Sequence, residues 1–203
     1  MSKKTIYLIR HGQTDFNLKG IVQGSGIDSS LNKTGKKQAQ LFYERHKNIP
    51  FQLIITSQLK RTIETATPFI EHNIPHLIFP EFNEINWGRL EGKRPTIKNN
   101  QDFTDMLKLW ASGEYESAIE GGETPLEVQK RMKVGIEKLK NVDAKTMLIV
   151  SHGRAMRILL CTMLNKPLSE MESFPHQNTT LYHLEWDGEI FTLIKGNCVE
   201  HLG

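Results

Sequence analysis

Two short stretches hold the residue types from which a reactive site can be built. Arg10-His11-Gly12 follows the apolar run Thr5-Ile6-Tyr7-Leu8-Ile9, and Ser151-His152-Gly153 follows Met147-Leu148-Ile149-Val150. Each run has the length and character of a buried strand. A strand that stops at an Arg-His pair places a cation and a nucleophile at the carboxyl end of a sheet, where open α/β proteins bind ligands. A His-Gly pair by itself arises by chance in any chain of 203 residues. Two strands that both end on one, with arginines nearby, point to a phosphate site built around two imidazoles.

Phosphoryl transfer to a side chain needs a nucleophile that is unprotonated near neutral pH. Histidine, with an ordinary pKa of about 6.5, meets that need better than lysine, and nearby cations favour its neutral form. Arg10 is adjacent to His11. Arg61, in Thr56-Ser57-Gln58-Leu59-Lys60-Arg61-Thr62, follows a strand and can reach the same site from the start of a helix. Arginines grip phosphate oxygens bidentately and stay protonated. They also neutralise charge on the transferring group, from which most of the catalysis must come. The leaving alkoxide needs a proton, which a carboxylic acid held partly out of water beside a phosphate dianion can supply.

The elements that must position these residues read as alternating strands and helices. The pattern predicts a helix over 34–47, capped by Thr34, then a strand over Leu53-Ile54-Ile55-Thr56. A helix over 57–73 follows, with Pro68 as a kink, then a strand over Leu77-Ile78-Phe79. Residues 81–122 carry no strand signal; Phe103, Leu107 and Trp110 lie at helical spacing and read as the packing face of a cap helix. Thr124-Pro125-Leu126-Glu127 is a helix start, with proline at the first position and glutamate three after the cap; the helix runs to about Asn141. A strand over 146–150 and a helix over 154–164 come next. Residues 180–194 read as a hairpin turning at Asp187-Gly188. The expectation is a three-layer α/β/α fold with a mostly parallel central sheet, an antiparallel edge hairpin and a small helical cap insertion at about 81–122, all within one domain over 1–203.

Composition bounds the rest. An apolar content of 38% and a charged content of 24% fit a globular chain with one substantial core. A net charge of +3 gives no reason to invoke nucleic acid. No apolar run approaches the ~20 residues of a membrane span. No signal-peptide pattern precedes the first strand, and Cys161 and Cys198 do not suggest a disulfide scaffold, so a cytoplasmic location is expected. The lysines 33, 36 and 37 read as a solvated helix face, and Gly121-Gly122 as a turn. His46, His72, His76, His176, His183 and His201 show no ligand spacing.

The constellation resembles the histidine phosphatase superfamily, also called phosphoglycerate mutase-like, over nearly the whole chain and in the expected order. Arg10-His11-Gly12 matches its signature, with Thr14, Asn17 and Gln23-Gly24 downstream. The segment 31–39, leading into the first helix, and Ser57 through Ala66, carrying Arg61, are also similar. So are the stretch 83–92, carrying Glu84, the tetrapeptide Gly121-Gly122-Glu123-Thr124, and Ser151-His152-Gly153. The resemblance implies that His11 is the phosphorylated nucleophile and that Arg10, Arg61 and His152 form the phosphate pocket. It implies a hydrogen bond from Asn17, and Glu84 as acid and then base. Gly12, Thr14, Gln23, Gly24 and Gly153 complete the implied substrate-binding set. No metal and no cofactor are implied.

Phosphatases let water attack the phosphohistidine; mutases exclude water and return the group to another hydroxyl. The family's cofactor-dependent phosphoglycerate mutases carry an arginine after the proton donor, a tyrosine two residues on, and an asparagine after the second His-Gly. This chain has Ile85, Trp87 and Arg154. The departures remove polar groups that would hold a phosphoglycerate carboxylate, so a phosphomonoesterase acting on a small phosphorylated metabolite is expected, with a phosphoglycerate mutase as the alternative. Lys93, Arg94 and Lys98 could still meet an acidic substrate. Two other classes stay open: a metal-dependent hydrolase with His11, His152 and Glu84 as ligands, and a binding protein without turnover. Oligomeric state is not legible in one chain, and a homodimer stays open.

Overall fold

The computed structural model describes residues 3–203. Among them, six strands form one sheet: β1 (Lys4–Arg10), β2 (Leu53–Thr56), β3 (His76–Ile78), β4 (Thr146–Ser151), β5 (Leu181–Trp186) and β6 (Phe191–Cys198). Their order is β3-β2-β4-β1-β5-β6. The first four of these neighbours run parallel; β5 and β6 are antiparallel.

The helices are α1 (Asp15–Leu18), α2 (Lys33–His46), α3 (Lys60–Ile70), α4 (Ile97–Ala111), α5 (Pro125–Asn141) and α6 (Gly153–Met163). Side chains alternate across the buried strands. On one face, Ile6, Leu8, Met147 and Ile149 pack with Val128 and Met132 of α5 and with Ile158 and Leu159 of α6. On the other, Ile9, Ile54, Leu148 and Val150 pack against Phe42 of α2 and Ala66 and Phe69 of α3. The three-layer α/β/α expectation therefore holds.

The topology explains the site. β1 and β4 pair in parallel with Arg10 opposite Ser151, so His11 and His152 leave adjacent strands at the same edge. From β1 the chain passes over one face through α2 toward β2. From β4 it passes over the other face through α6 toward β5. Neighbouring strands whose connections diverge leave a crevice between their carboxyl ends.

Several local expectations change. Asn32, not Thr34, caps α2, its side chain accepting from the Gly35 N–H; Thr34 lies one residue inside the helix. Helix α3 begins at Lys60 rather than Ser57, and runs through Pro68 to Ile70. The β5–β6 loop spans 187–190 rather than two residues, because the Asp187 carboxylate accepts from the N–H groups of Glu189 and Ile190. The capping box at Thr124 and Glu127 is present as expected. In α4, Trp110 is fully buried, and Phe103 and Leu107 pack partly buried against the core.

The loop after β1 lies directly on the start of α2. A Cβ at Gly35 would sit 2.1 Å from the Gln13 carbonyl oxygen, and one at Gly12 2.6 Å from the Gly35 carbonyl oxygen. Both obstacles are backbone and cannot rotate away. Gly35→Ala should therefore lower stability by about 1–3 kcal/mol, read as a fall in denaturation midpoint with an unchanged m-value; a midpoint equal to that of the parent would refute the close contact.

Candidate active site

His11 is buried at the end of β1. Its Nδ1 lies 2.7 Å from the Gly12 carbonyl oxygen. A carbonyl only accepts, so Nδ1 carries the proton and Nε2 holds the lone pair. Nε2 makes no hydrogen bond among the described residues and is not sealed off; the ring lines a cavity of about 170 Å³. Burial, then the Arg61 and Arg10 cations, push His11 well below the ordinary imidazole value.

Arg10 stretches along the cavity and donates from Nη1 to the His176 carbonyl at 2.7 Å. Its Nε is buried without a partner among the described residues. Arg61 donates from Nε to His152 Nδ1 (3.1 Å), from Nη1 to the Ile27 carbonyl (2.6 Å) and from Nη2 to the Gly24 carbonyl (3.1 Å). Three of its five N–H groups are thus taken, leaving one on each terminal nitrogen. Burial pushes both guanidinium groups down to about 10, with Glu84 opposing the shift, so both remain cations near neutral pH.

His152 sits 5.2 Å from His11, ring centre to ring centre. Because Arg61 only donates, His152 Nδ1 accepts, and Nε2–H donates to Ser57 Oγ at 2.8 Å. Ser57 in turn meets Thr62 Oγ1 at 3.0 Å. Burial, then Arg61, hold His152 well below its ordinary value. His152 is the N-cap residue of α6, yet its side chain makes no cap bond. Glu84 does that work from another segment: its oxygens accept from the N–H groups of Ala155 (2.8 Å), Arg154 (3.2 Å) and Ile85 (2.9 Å). Arg131 of α5 fixes this segment, donating to the carbonyls of Glu81, Asn83 and Glu84 while paired with Glu123.

The remaining predicted residues divide. Asn17, Gln23 and Gly153 line the cavity with Arg10, His11 and Glu84. Gln23 is tied at both ends, to Thr14 and Ser29. Gly12, Thr14 and Gly24 do not line it: the Gly12 N–H bonds Thr65, Thr14 caps α1, and the Gly24 carbonyl holds Arg61. Arg61 and His152 lie fully buried beside His11. Lys93 and Arg94 border a separate surface cavity with Phe103. Among the described residues no group of three His, Cys, Asp or Glu side chains is arranged to hold a metal ion.

Sequence reasoning did not assign His176, Asn178, Trp87 or Arg154 to the site. The segment 168–178, assigned no element, carries His176 into the cavity and sends Asn178 to the His11 carbonyl (3.0 Å) and to Asn17 (3.3 Å). Trp87 and Phe103, 4.7 Å apart, also line the cavity. Arg154, read as a lost polar group, also lines the cavity. His176 had no motif to flag it; its ring comes so close to α6 that its Cδ2 would lie 2.6 Å from a Cβ at Gly153.

The profile of the histidine phosphatase superfamily (branch 1) matches residues 6–199. The chain belongs to that superfamily. A candidate phosphoserine phosphatase of Hydrogenobacter thermophilus is 28% identical over 199 residues, covering 98% of this chain and 97% of its own length. A candidate phosphoglycerate mutase of Yersinia pestis is 30% identical over 200 residues, covering 98% and 92%. Among solved structures, a phosphoserine phosphatase from Entamoeba histolytica in complex with 3-phosphoglyceric acid superposes with a TM-score of 0.83 at 25% identity over the full length of both chains. The superfamily comprises enzymes acting on phosphoesters, phosphatases and mutases alike. Among the described residues no helix is long and apolar enough to cross a membrane.

The neutral imidazoles, buried or half-buried, make a pH prediction for this superfamily member. Burial, then Arg10, push His176 down to about 3, and burial holds His201 at about 4. His11 and His152 shift the same way. Each histidine takes up a proton near pH 6.5 only when unfolded, so the stability it contributes is complete above about pH 6.5 and is lost as pH falls from there toward its folded value. Denaturation free energy should drop between pH 6.5 and 4.5, by up to about 1.4 kcal/mol per pH unit for each such histidine. His176→Asn should flatten that slope; an unchanged slope would place His176 in water.

Proposed function

We propose that the chain is a phosphomonoester hydrolase that acts on a small phosphorylated metabolite through a phosphohistidine at His11. The single observation that carries this reading is the state of His11: proton held on Nδ1 by Gly12, Nε2 open to a cavity, and two arginines beside a ring kept neutral. The buried, unpartnered Nε of Arg10 supports an anion as the occupant.

In this reading the Nε2 lone pair attacks phosphorus, the ester P–O bond breaks, and Glu84 gives its proton to the departing oxygen. Water then attacks the phosphohistidine, Glu84 takes the proton, and the P–N bond electrons return to the imidazole. Arg10, Arg61 and His152 form the phosphate pocket, and Asn17 adds a hydrogen bond. Residues 81–122 act as a cap on a single domain, and the enzyme works in the cytoplasm.

The phosphoglycerate mutase alternative is supported by the Yersinia relative. The hydrolase is favoured by Ile85, fully buried, and Trp87, packed on Trp110, where the mutases carry arginine and tyrosine.

Purified protein incubated with a panel of phosphomonoesters, without added metal and after dialysis against EDTA, should release phosphate from some member. No release from any ester, or release only on adding metal, would sink this reading. His11→Ala should abolish turnover together with the acid-labile labelled phosphoenzyme; near-normal rates would exclude His11 as nucleophile. Glu84→Gln should slow esters of poor leaving groups at least ten-fold more than p-nitrophenyl phosphate, whose leaving group needs little protonation. An equal loss on both would remove Glu84 as the acid.

A further inference from the structure

Arg154 is the second residue of α6, almost fully buried, and it faces the same cavity as His11. The phosphate site already has Arg10 and Arg61, and a third guanidinium on the cavity wall has no part in the transfer step. Its surroundings hold it in place. Nη1 pairs with Glu172, which also pairs with Arg157, and its Cζ lies 5.7 Å from the Trp110 ring centre. Burial would raise the Glu172 carboxyl, but the Arg154 and Arg157 cations outweigh it and hold it below the ordinary range. Among the described residues nothing takes a hydrogen bond from Nε or Nη2 of Arg154, neither atom is fully buried, and the residue lines the cavity.

Two free donors on one planar group form the fork that binds a carboxylate or a phosphate side-on. Beside them His176, kept neutral by burial and by Arg10, offers an imidazole without adding a charge. A cavity of about 170 Å³ is well below the roughly 300–1,000 Å³ of sites for drug-sized ligands. The second group must therefore lie within a few bonds of the transferred phosphate.

We infer that Arg154 is a specificity-determining residue that reads a second anionic group on the leaving-group side, so that the preferred substrates are phosphomonoesters of small acids rather than of neutral alcohols. The inference rests on the hydrolase reading above and deepens it. The departure at position 154 thus replaces a carboxylate-holding group rather than removing one.

The test compares 3-phosphoglycerate with glycerol 3-phosphate, which differ by a carboxylate against a hydroxymethyl group. The parent protein should favour the acid in kcat/KM by at least ten-fold. Arg154→Met keeps the aliphatic stem over Trp110 and should collapse that ratio by about 10- to 100-fold. Arg154→Lys, a cation without the fork, should keep part of it. A parallel pair, propane-1,3-diol bisphosphate against its monophosphate, shows whether a phosphate is read in place of the carboxylate. Calorimetry of the same ligands with His11→Ala protein reads the discrimination without turnover. Equal values for acid and alcohol in the parent, or an unchanged ratio in Arg154→Met, would overturn the inference while leaving phosphate release intact. Discrimination in binding with no release from any ester would instead refute the hydrolase reading and keep the Arg154 assignment.

Discussion

The parallel pairing of β1 with β4, Arg10 opposite Ser151, is the constraint on which the rest depends. It makes two distant His-Gly steps neighbours and sends the two chains over opposite faces of the sheet. A one-residue slip would reverse every side chain on β1 between the two cores. Ile6 and Leu8 on one face and Ile9 on the other are all fully buried, so the hydrophobic cores fix the register, and the register fixes the distance between the imidazoles.

Around that pair the protein keeps several charges out of water. Arg61 is fully buried, and its guanidinium is held by two carbonyls and a histidine nitrogen, not by a carboxylate. Glu84 is held by three backbone N–H groups at the start of α6. Arg61 and Glu84 thus each have polar partners of their own and need not pair with each other. Each hydrogen bond to a charged group of this kind is worth about 1.5–3 kcal/mol. Burial, then the Arg61 and Arg10 cations, hold His11 well below the ordinary imidazole value and so keep its ring unprotonated.

The cavity lining combines apolar and polar side chains. Trp87 and Phe103 are apolar and joined to the core through Trp110. Arg154 and His176 are polar, backed by the Glu172 bridge between Arg154 and Arg157. Relatives named for phosphatase and for mutase activity share the fold, so differences in chemistry within the superfamily must arise in such a lining rather than in the sheet.

The sequence by itself determined the alternating strands and helices, the capping box at Thr124, and the ordered set Arg10, His11, Arg61, Glu84 and His152. These are legible because periodicity and motif spacing are local properties of a chain. Tertiary structure decided the rest. Asn32 rather than Thr34 caps α2 because the Asn32 side chain reaches the Gly35 N–H. Asp187 lengthens the hairpin loop by two carboxylate bonds. His176, Asn178 and Glu172 lie on a segment without periodicity, and Arg131 acts from the middle of a helix whose pattern reports only burial. Their roles exist only once chain distant in sequence is brought against the β1–β4 edge, since a hydrogen bond or an ion pair depends on distances of a few ångströms that no local pattern encodes.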